Sequence, residues 1–398
     1  MNKKLMAAAV AGALTLPAGA AMAQTSTVQI YGLLNVEYAP YVKNPNHSSG
    51  AARRTTDELN SGASRIGFRG QEKLGGGLTV WFQCETDLQA LDGGTDNEAE
   101  VFDTNSANQP SWCDRNSALG LRGGWGNFYV GTWDSPTKRV TSATRMLAET
   151  GWLGVQRHLM TLAGWGYSHR VTKSLNYDSP NFGGFNIAFQ TTTTNADRNQ
   201  LEAGPDTQAR IWGLNGMYSA GPLVAGLGYA RYENNIQFAA PPFPVSSATG
   251  VQTGLEDTVW VFGINYTFGN FKIGFVATDL DVERAAGPVG TPPTSFERRN
   301  YSTALEWNLG GPHSMLFGWT HAGATEGSGC PAGATTCGSA NIFQAQYQHR
   351  FSKRTMGGIG VITVDNGDGG VHSLQGLSGN MQPGERSTAF ALQLQHTF

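Results

Sequence analysis

Residues 388–398 read TAFALQLQHTF and end the chain. Counted back from Phe398 to Phe390, every second side chain is apolar except His396, and the side chains between them are Ala, Gln or Thr. Strict alternation of this kind predicts a β-strand with two unlike faces. A soluble sheet produces the same pattern, but a soluble domain rarely ends on an apolar strand. A strand of about ten residues with one apolar face is typical of a transmembrane β-barrel, whose last strand must pair with its first.

The amino-terminal segment has the three parts of a secretory signal peptide. Asn2, Lys3 and Lys4 precede an apolar run over residues 5–16, and the small-residue sequence Ala-Met-Ala follows at 21–23. We expect a signal peptide over residues 1–23. Cleavage there leaves residues 24–398 as one transmembrane β-barrel domain, because no linker or change of composition divides them. The alternative is a membrane anchor, but the apolar run is shorter than the ~20 residues of a spanning helix.

Composition limits the classes of function open to the chain. Charged residues make up 14% of the 398 positions and the formal net charge is -3, so nothing points to nucleic acid as a partner. After the leader, no stretch contains the ~18 consecutive apolar residues that indicate a spanning helix. If the protein lies in a membrane, it must therefore cross it with strands.

Short turns and long polar inserts alternate along the whole chain. Tight turns fall near residues 73–77, 123–126, 179–184, 219–222, 269–270, 308–312 and 351–354. Long inserts fall near residues 40–60, 88–114, 134–165, 192–208, 233–256, 280–298, 322–339 and 364–385. Connections sorted by length in this way predict an all-β fold. We expect a sixteen-stranded antiparallel transmembrane β-barrel with short periplasmic turns and long extracellular loops.

The outward faces of most predicted strands carry no charge, as a lipid-facing surface requires. An Arg or Lys near the bilayer midplane would cost about 2–4 kcal/mol. One strand breaks this pattern, because Leu175 and Tyr177 should face outward and the alternation places Lys173 beside them. A β-bulge, snorkelling of the lysine, or contact with a neighbouring subunit would each account for the exception.

Four cysteines occur in a chain that we expect to enter an oxidising compartment. Cys330 and Cys337 flank a turn-rich segment, so we expect a disulfide that pins one loop. Cys84 and Cys113 bracket a long polar insert, and a disulfide between them would staple a hairpin. Four cysteines allow three pairings, and the sequence alone does not choose among them. Neither Cys nor His has the spacing of a metal site, and we expect no metal or cofactor.

The insert over residues 134–165 differs from the others because it is rich in large apolar side chains, Trp152 and Leu153 among them. Such side chains require burial, and a barrel offers it only at the lumen wall or at a subunit contact. We therefore expect this insert to fold inward and constrict the pore; the alternative is a loop that covers the barrel mouth. Its charged residues are Asp134, Lys138, Arg139, Arg145, Glu149 and Arg157.

Basic residues also fall on the predicted inward faces of the strands. Arg65 and Arg69 share one strand, and Arg122 and Arg170 lie on two others. We interpret them as a basic ladder on the lumen wall, which would raise the local concentration of anions. The alternative is that they neutralise carboxylates of the same inward face. Those carboxylates are Glu37, Glu85 and Glu306.

Several short motifs span nearly the whole mature chain in order. They are VQIYG at 28–32, SRIGFRG at 64–70, GGGL at 75–78, YDSPNFGGF at 177–185, SKRT at 352–355 and HTF at 396–398. Together they resemble the sixteen-stranded trimeric porins of beta-proteobacteria. The resemblance implies a homotrimer, a third loop folded into each pore, and passive diffusion of small hydrophilic solutes. This sequence departs from the family pattern at two places. Thr132 and Trp133 stand where the family usually has Arg or Asn followed by Gln, and Gln395 stands where the family often has Arg.

We therefore expect an outer-membrane porin of a Gram-negative bacterium, exported through the periplasm, with a weak preference for anions. Further expected partners are outer-membrane lipid, lipopolysaccharide and the barrel-assembly machinery, which would recognise the strand ending at Phe398. We expect no enzyme activity, because the chain has no nucleophile-elbow or metalloprotease motif and its histidines are scattered singly. The alternatives are a substrate-preferring channel of the same fold, a barrel-type outer-membrane enzyme, and a structural or adhesive barrel.

Overall fold

A computed structural model of the protein describes residues 27–43, 55–88, 112–148, 151–162, 165–192, 210–233, 255–284, 292–330, 337–374, 376–377 and 383–398. The signal peptide expected over residues 1–23 lies outside these described residues.

The described residues form a closed barrel of sixteen antiparallel strands, each paired with its neighbours in sequence. The strands are β1 (Thr27–Lys43), β2 (two segments, Thr55–Asn60 and Arg65–Gly75), β3 (Leu78–Asp87), β4 (Ser117–Gly123), β5 (Gly126–Asp134), β6 (Arg170–Asp178), β7 (Phe185–Thr192), β8 (Arg210–Ala220), β9 (Leu223–Glu233), β10 (Glu256–Phe268), β11 (Phe271–Arg284), β12 (Thr294–Gly310), β13 (His313–Ala322), β14 (Ala340–Arg350), β15 (Thr355–Asn366) and β16 (Arg386–Thr397). The predicted fold class is confirmed.

The last strand closes the barrel against the first. Most of β16 pairs antiparallel with the carboxyl-terminal half of β1. Phe398 continues this ladder: its amide donates to the carbonyl of Gly32, and its own carbonyl accepts from the Gly32 amide. The amino-terminal half of β1 pairs with β2, where Ile30 lies opposite Phe68. The two ends of the chain thus cover each other's edges, as the alternating carboxyl-terminal stretch predicts.

Side chains alternate between an outward face and a lumen face along the strands. The outward face carries a belt of large apolar side chains; Leu394 of β16 is 56% exposed and Ile30 of β1 is 58% exposed. Next to the short turns, the rings of Phe268, Phe271 and Trp307 stack in sequence, 5.8 and 6.0 Å apart. A continuous exposed apolar belt with aromatic residues at its rim is the lipid-facing surface of a transmembrane barrel.

The connections are sorted by length, with short turns at one end of the barrel and long loops at the other. Two predicted inserts are wrong at their boundaries. Within residues 40–60, β1 continues to Lys43 and the first segment of β2 begins at Thr55. Within residues 280–298, β11 continues to Arg284 and β12 begins at Thr294. These strands continue past the apolar belt although their side chains there are polar. Cross-strand backbone hydrogen bonds, rather than contact with lipid, stabilise the extensions.

Lys173 lies at an irregularity in β6. Its φ of 49° is in the left-handed region, and the register between β5 and β6 shifts between Gly131 and Trp133. The side chain is exposed on the outward face, on the same side as Leu175. Of the three explanations for an outward lysine, the β-bulge is therefore present.

Both expected disulfides form. Cys84 and Cys113 are 4.7 Å apart at Cα, and Cys330 and Cys337 are 5.9 Å apart. The first ties the end of the second long loop to β3, where the Cys113 amide also donates to the hydroxyl of Thr86 over 3.0 Å. The second closes a short loop between β13 and β14.

Two short helices, α1 (Pro136–Thr144) and α2 (Gln156–Met160), lie between β5 and β6. In the part of the chain that the structure describes, no helix has the length and apolarity to cross a membrane. The connection that contains these helices is the third long loop, and it defines the candidate site.

Candidate functional site: the constricted lumen

The third loop, residues 135–169, turns inward as soon as it leaves β5. The hydroxyl of Ser135 accepts a hydrogen bond from the Lys138 amide over 3.2 Å and so caps α1. Pro136 occupies the first turn of the helix, where its missing amide hydrogen removes no helical bond. The dipeptide Ser135-Pro136 is a helix start signal, and the apolar pattern of the insert alone does not reveal it. It places α1 immediately after β5.

A row of glycines on the lumen face makes room for the third loop. An added Cβ at Gly213 would lie 2.7 Å from Cγ of Pro136, and one at Gly318 would lie 2.5 Å from a methyl group of Leu147. Real Cβ atoms do not approach other atoms so closely, so the loop fits against these strands because the positions have no side chain. This glycine track consists of Gly213, Gly226, Gly228, Gly263, Gly274, Gly318 and Gly360.

Lumen-facing asparagines satisfy backbone carbonyls of the loop. A carbonyl buried against a barrel wall needs a donor, and a side-chain amide supplies one without adding charge. Thr278 adds a hydroxyl donor to the carbonyl of Leu159 over 2.6 Å. The asparagine donors and their acceptor carbonyls are Asn215 with Pro136 (3.0 Å), Asn265 with Thr144 (3.2 Å) and Asn300 with Leu159 (2.9 Å).

Glu37 of β1 holds the far end of the loop. Its carboxylate accepts a hydrogen bond from the backbone amide of Trp152 over 2.6 Å and another from Gln393 of β16 over 3.1 Å. The Glu37 side chain is fully buried. Sequence reasoning placed Glu37 among the inward carboxylates, and its contacts make it an anchor of the third loop.

The apolar residues that set this insert apart are buried inside the barrel. Burial of each methylene group contributes about 0.8 kcal/mol, so the sum over the loop favours the folded-in position strongly. The predicted inward folding of the third loop is confirmed, and the alternative of a loop over the barrel mouth is wrong. The buried residues are Val140, Leu147, Trp152, Leu153, Val155, Leu159, Met160 and Leu162.

Arg65 faces the lumen from β2 but is partly neutralised. Its guanidinium lies 3.7 Å from the carboxylate of Glu85 on β3. Glu85 also pairs with Arg115 over 2.8 Å and accepts a hydrogen bond from the hydroxyl of Tyr31 over 3.1 Å. Arg115 follows the second long insert directly, and sequence reasoning did not select it because it lies outside any alternating pattern.

Arg69 and Arg122 have neutral partners. Arg69 donates to the side-chain amide oxygen of Gln29 over 3.0 Å and lies over the ring of Tyr31, 4.9 Å from its centroid. Arg122 of β4 donates to the amide oxygen of Gln71. Both arginines are exposed, and within the described ranges no carboxylate lies at ion-pair distance from either. Their positive charge therefore remains uncompensated by short contacts.

Arg170 lies at the root of the third loop. It is 5% exposed, and its guanidinium lies 3.4 Å from the carboxylate of Asp134 at the end of β5. Lys138 of α1 lies 3.3 Å from the same carboxylate. Asn116, immediately before β4, donates to the same carboxylate over 2.8 Å. Asp134 thus joins the loop root to the wall, and Arg170 is buried behind the lumen surface.

Other charged candidates lie on the loop itself. Arg139 of α1 pairs with Asp178 over 2.7 Å. Burial lowers the pKa of Arg139, but the neighbouring Tyr129 and Asp178 outweigh burial and leave that pKa raised. Arg145 donates to a carbonyl of the loop over 3.5 Å. The remaining candidates lie outside the described residues; they are Glu149 and the side chain of Arg157.

An aromatic cluster covers the lumen wall beside Arg122. Trp81 of β3 lies across Gly120 of β4, whose absent Cβ leaves space for the indole. Its ring centroid lies 5.4 Å from that of Tyr129 and 5.8 Å from that of Trp133, both on β5. The indole nitrogen of Trp81 donates to Asn127 over 2.7 Å. The sequence predicts only that these three residues face inward. The cross-strand register is needed to show that they contact one another.

A buried polar cluster joins the third loop to the last long loop. Nδ1 of His158 in α2 lies 3.4 Å from Nδ1 of His372, and Arg298 of β12 contacts the His372 ring. Arg298 also donates to the carbonyl of Thr161 over 3.0 Å. Across the described ranges, no group of three or more His, Cys, Asp or Glu side chains is placed to hold a metal ion.

Comparison with protein-family models matches residues 7–369 to the family of Gram-negative porins. Outer membrane porin protein 32 of Delftia acidovorans is 26% identical over 404 aligned positions, which cover all of both chains. The major outer membrane protein P.IB of Neisseria meningitidis serogroup B is 32% identical over 206 positions, about half of each chain (51% and 53%).

Solved structures give the same fold. The anion-selective porin from Comamonas acidovorans superposes with a TM-score of 0.68 at 22% identity and covers 94% of this chain and 100% of its own. The trimer form of OmpT, an outer membrane protein of Vibrio cholerae, superposes with a TM-score of 0.63 at 12% identity, with coverage of 94% and 100%.

Proposed function

Because the chain belongs to the Gram-negative porin family and is an outer-membrane β-barrel channel, we propose that it is a general diffusion pore with a weak preference for anions. Small hydrophilic solutes and ions would pass through the lumen between the third loop and the wall of β1–β5. Porins are channels, so we propose that solutes cross the pore without chemical conversion.

The observation that carries the anion preference is the pair Arg69 and Arg122. Each is exposed to the lumen and hydrogen-bonded to a neutral glutamine. Two of the three inward carboxylates are engaged elsewhere: Glu85 pairs with Arg65 and Arg115, and Glu37 holds the third loop. The third, Glu306, lies on β12, away from the strands that carry the two arginines. Fixed positive charge in a lumen with low-dielectric walls raises the local concentration of anions.

A protein of the same fold supports a preference for anions rather than cations. The Comamonas acidovorans protein is described as anion-selective and shares the fold of this chain. At 22% identity its selectivity does not carry over by itself, and the proposal rests on the two arginines.

We propose four further properties from the sequence pattern and the comparisons. The mature chain starts after residue 23 and reaches the outer membrane through the periplasm. It assembles as a homotrimer, as a trimer form of one structural relative suggests. In the outer membrane its apolar belt contacts lipid and lipopolysaccharide, and the strand ending at Phe398 is the element recognised by the barrel-assembly machinery.

A planar-bilayer measurement on the purified trimer tests the proposal. In a tenfold gradient of KCl, the zero-current potential should have the sign of a chloride-preferring pore. The preference should shrink as both solutions are raised toward 1 M, where the screening length falls to about 3 Å. A cation-preferring potential would overturn the anion preference, and the absence of any conductance would overturn the pore itself.

A further inference from the structure

The aromatic cluster of Trp81, Tyr129 and Trp133 has the features of a binding surface within the proposed pore. All three rings come from the lumen face of β3 and β5, and they contact one another over 5.0 to 5.8 Å. Tyr129 is 1% exposed and forms the floor, whereas Trp81 and Trp133 are only half-buried. Two indoles are therefore left partly open on the lumen side of the wall.

The cluster is held in place, so its exposed ring faces are preorganised. The indole of Trp81 fills the space above Gly120, and its N–H is fixed by Asn127 over 2.7 Å. The hydroxyl of Tyr129 accepts from Arg139 over 3.4 Å and lies 3.5 Å from Asp178. Rings with one bonded polar edge and one open face bind planar groups at little cost in side-chain entropy.

A positively charged side chain, Arg122, lies beside the cluster on the same face of the wall. Arg122 and Gly120 are two positions apart on β4, so their side-chain positions are about 7 Å apart along the lumen. Arg122 donates to Gln71 and is exposed, which leaves donors of its guanidinium available. One small aromatic acid is therefore about long enough to stack its ring on Trp81 and place its carboxylate at Arg122.

From this juxtaposition we propose that the Trp81–Tyr129–Trp133 cluster, together with Arg122, is a binding site for aromatic carboxylates on their way through the pore. The proposal rests on the proposed function, because it makes the general pore prefer one class of anion. The ring of the solute stacks on the open indole faces and leaves water, while its carboxylate meets the guanidinium. Neither acetate, which lacks the ring, nor benzyl alcohol, which lacks the charge, satisfies both contacts.

Inhibition of the chloride current by benzoate tests the proposal on the intact trimer. Benzoate should halve the chloride current at a concentration on the order of tenfold lower than acetate or benzyl alcohol does, because only benzoate makes both the ring contact and the carboxylate contact. The comparison uses the wild-type protein and needs no variant. If benzoate acts at the same concentration as acetate, the proposal is wrong, while the chloride current measured alongside still reports on the pore.

Variants locate the effect. Trp81→Leu and Trp133→Leu should each raise the half-inhibiting benzoate concentration by about fivefold, and Trp133→Phe, which keeps a ring, should restore most of the affinity. Trp307→Leu on the outward face is the matched control and should leave it unchanged. Equal benzoate inhibition in Trp133→Leu and wild type, with normal chloride conductance, would overturn the assignment to this cluster. A purely structural role of the rings would instead change chloride conductance without changing the benzoate-to-acetate ratio, which also overturns it.

Discussion

The backbone amide of Trp152 donates a hydrogen bond to the carboxylate of Glu37 over 2.6 Å, although the two residues are 115 positions apart in the chain. Glu37 lies on β1, which also closes the barrel against β16, and Gln393 of β16 donates to the same carboxylate. The tip of the third loop is therefore fastened at the seam where the two ends of the chain meet. Constriction of the pore and closure of the barrel share one buried carboxylate.

Removal of this carboxylate should loosen the third loop without opening the barrel. A hydrogen bond to a charged group contributes about 1.5–3 kcal/mol, and Glu37→Ala leaves the Trp152 amide and the Gln393 side chain without this acceptor. We expect open-channel current noise to rise and the mean conductance to change, while the trimer stays folded. Glu306→Gln, on the lumen face of β12, is the control and should leave the noise at the wild-type level. Open-channel current noise of Glu37→Ala at the wild-type level would contradict the anchoring role.

Side chains placed on the glycine track should push the third loop off the wall. An added Cβ at Gly263 would collide with the hydroxyl of Thr144, and a Cβ at Gly318 would lie 2.5 Å from Leu147. We expect Gly263→Val and Gly318→Val to lower single-channel conductance, because the displaced loop occupies more of the lumen, and to cost about 1–3 kcal/mol of stability.

The matched control for the glycine track is Gly216→Ala. An added Cβ there would lie 3.4 Å from the ring of Phe185, which is an ordinary contact, and it faces away from the loop. Conductance and thermal unfolding of this variant should match the wild type. Conductance of Gly318→Val equal to that of Gly216→Ala would show that the loop does not depend on the missing side chains.

Acid should weaken the contact between the third and last loops. His372 is buried against Arg298 of β12 and His158 of α2, with His321 of β13 nearby, while Asn366 of β15 bonds its backbone. Burial first, and then Arg298 and His158, hold the pKa of His372 well below 6.5.

The sign of this effect follows from proton binding. An opened loop would expose His372 with an ordinary pKa near 6.5 and bind a proton that the closed cluster excludes, so the contact is stable above that pH and weakens as the pH falls below it. Each pH unit below 6.5 costs the closed contact up to about 1.4 kcal/mol. Single-channel recordings at pH 5 should show more closures than at pH 7.5, and His372→Phe should remove the difference. His396→Gln, on the outward face, is the control; pH-independent gating in the wild type would contradict the prediction.

The disulfides should differ in their effect on stability. In the chain-entropy description, the 29-residue separation of Cys84 and Cys113 corresponds to about 3–4 kcal/mol, and the separation of 7 between Cys330 and Cys337 to about 2–3 kcal/mol. Cys84→Ser should therefore lower the unfolding temperature of the purified barrel more than Cys330→Ser does. Peptide mapping without reductant should recover both linkages, and a larger effect of Cys330→Ser would contradict this order.

Much of the fold could be predicted because lipid and lumen impose opposite requirements on alternate residues of each strand. That contrast predicts the strand around Ile30, the strand ending at Phe398 and the apolar third loop. Where both faces are polar the contrast is absent, so the sequence pattern predicts a loop where the strand segment beginning at Thr55 forms. The lumen charges follow the same logic: alternation places Arg65 and Arg69 on the inward face, but only the register shows that one meets Glu85 and the other Gln29.

The central claim is that Arg69 and Arg122 give the pore its preference for anions, and their replacement tests it most directly. The measurement is the zero-current potential in a tenfold KCl gradient for the wild type, for Arg69→Gln/Arg122→Gln and for Arg65→Gln. The double variant should move toward cations, because both lost charges have neutral partners, whereas Arg65→Gln should move less, because Arg65 lies beside Glu85. A double variant with the wild-type potential, or a smaller shift than that of Arg65→Gln, would contradict the account.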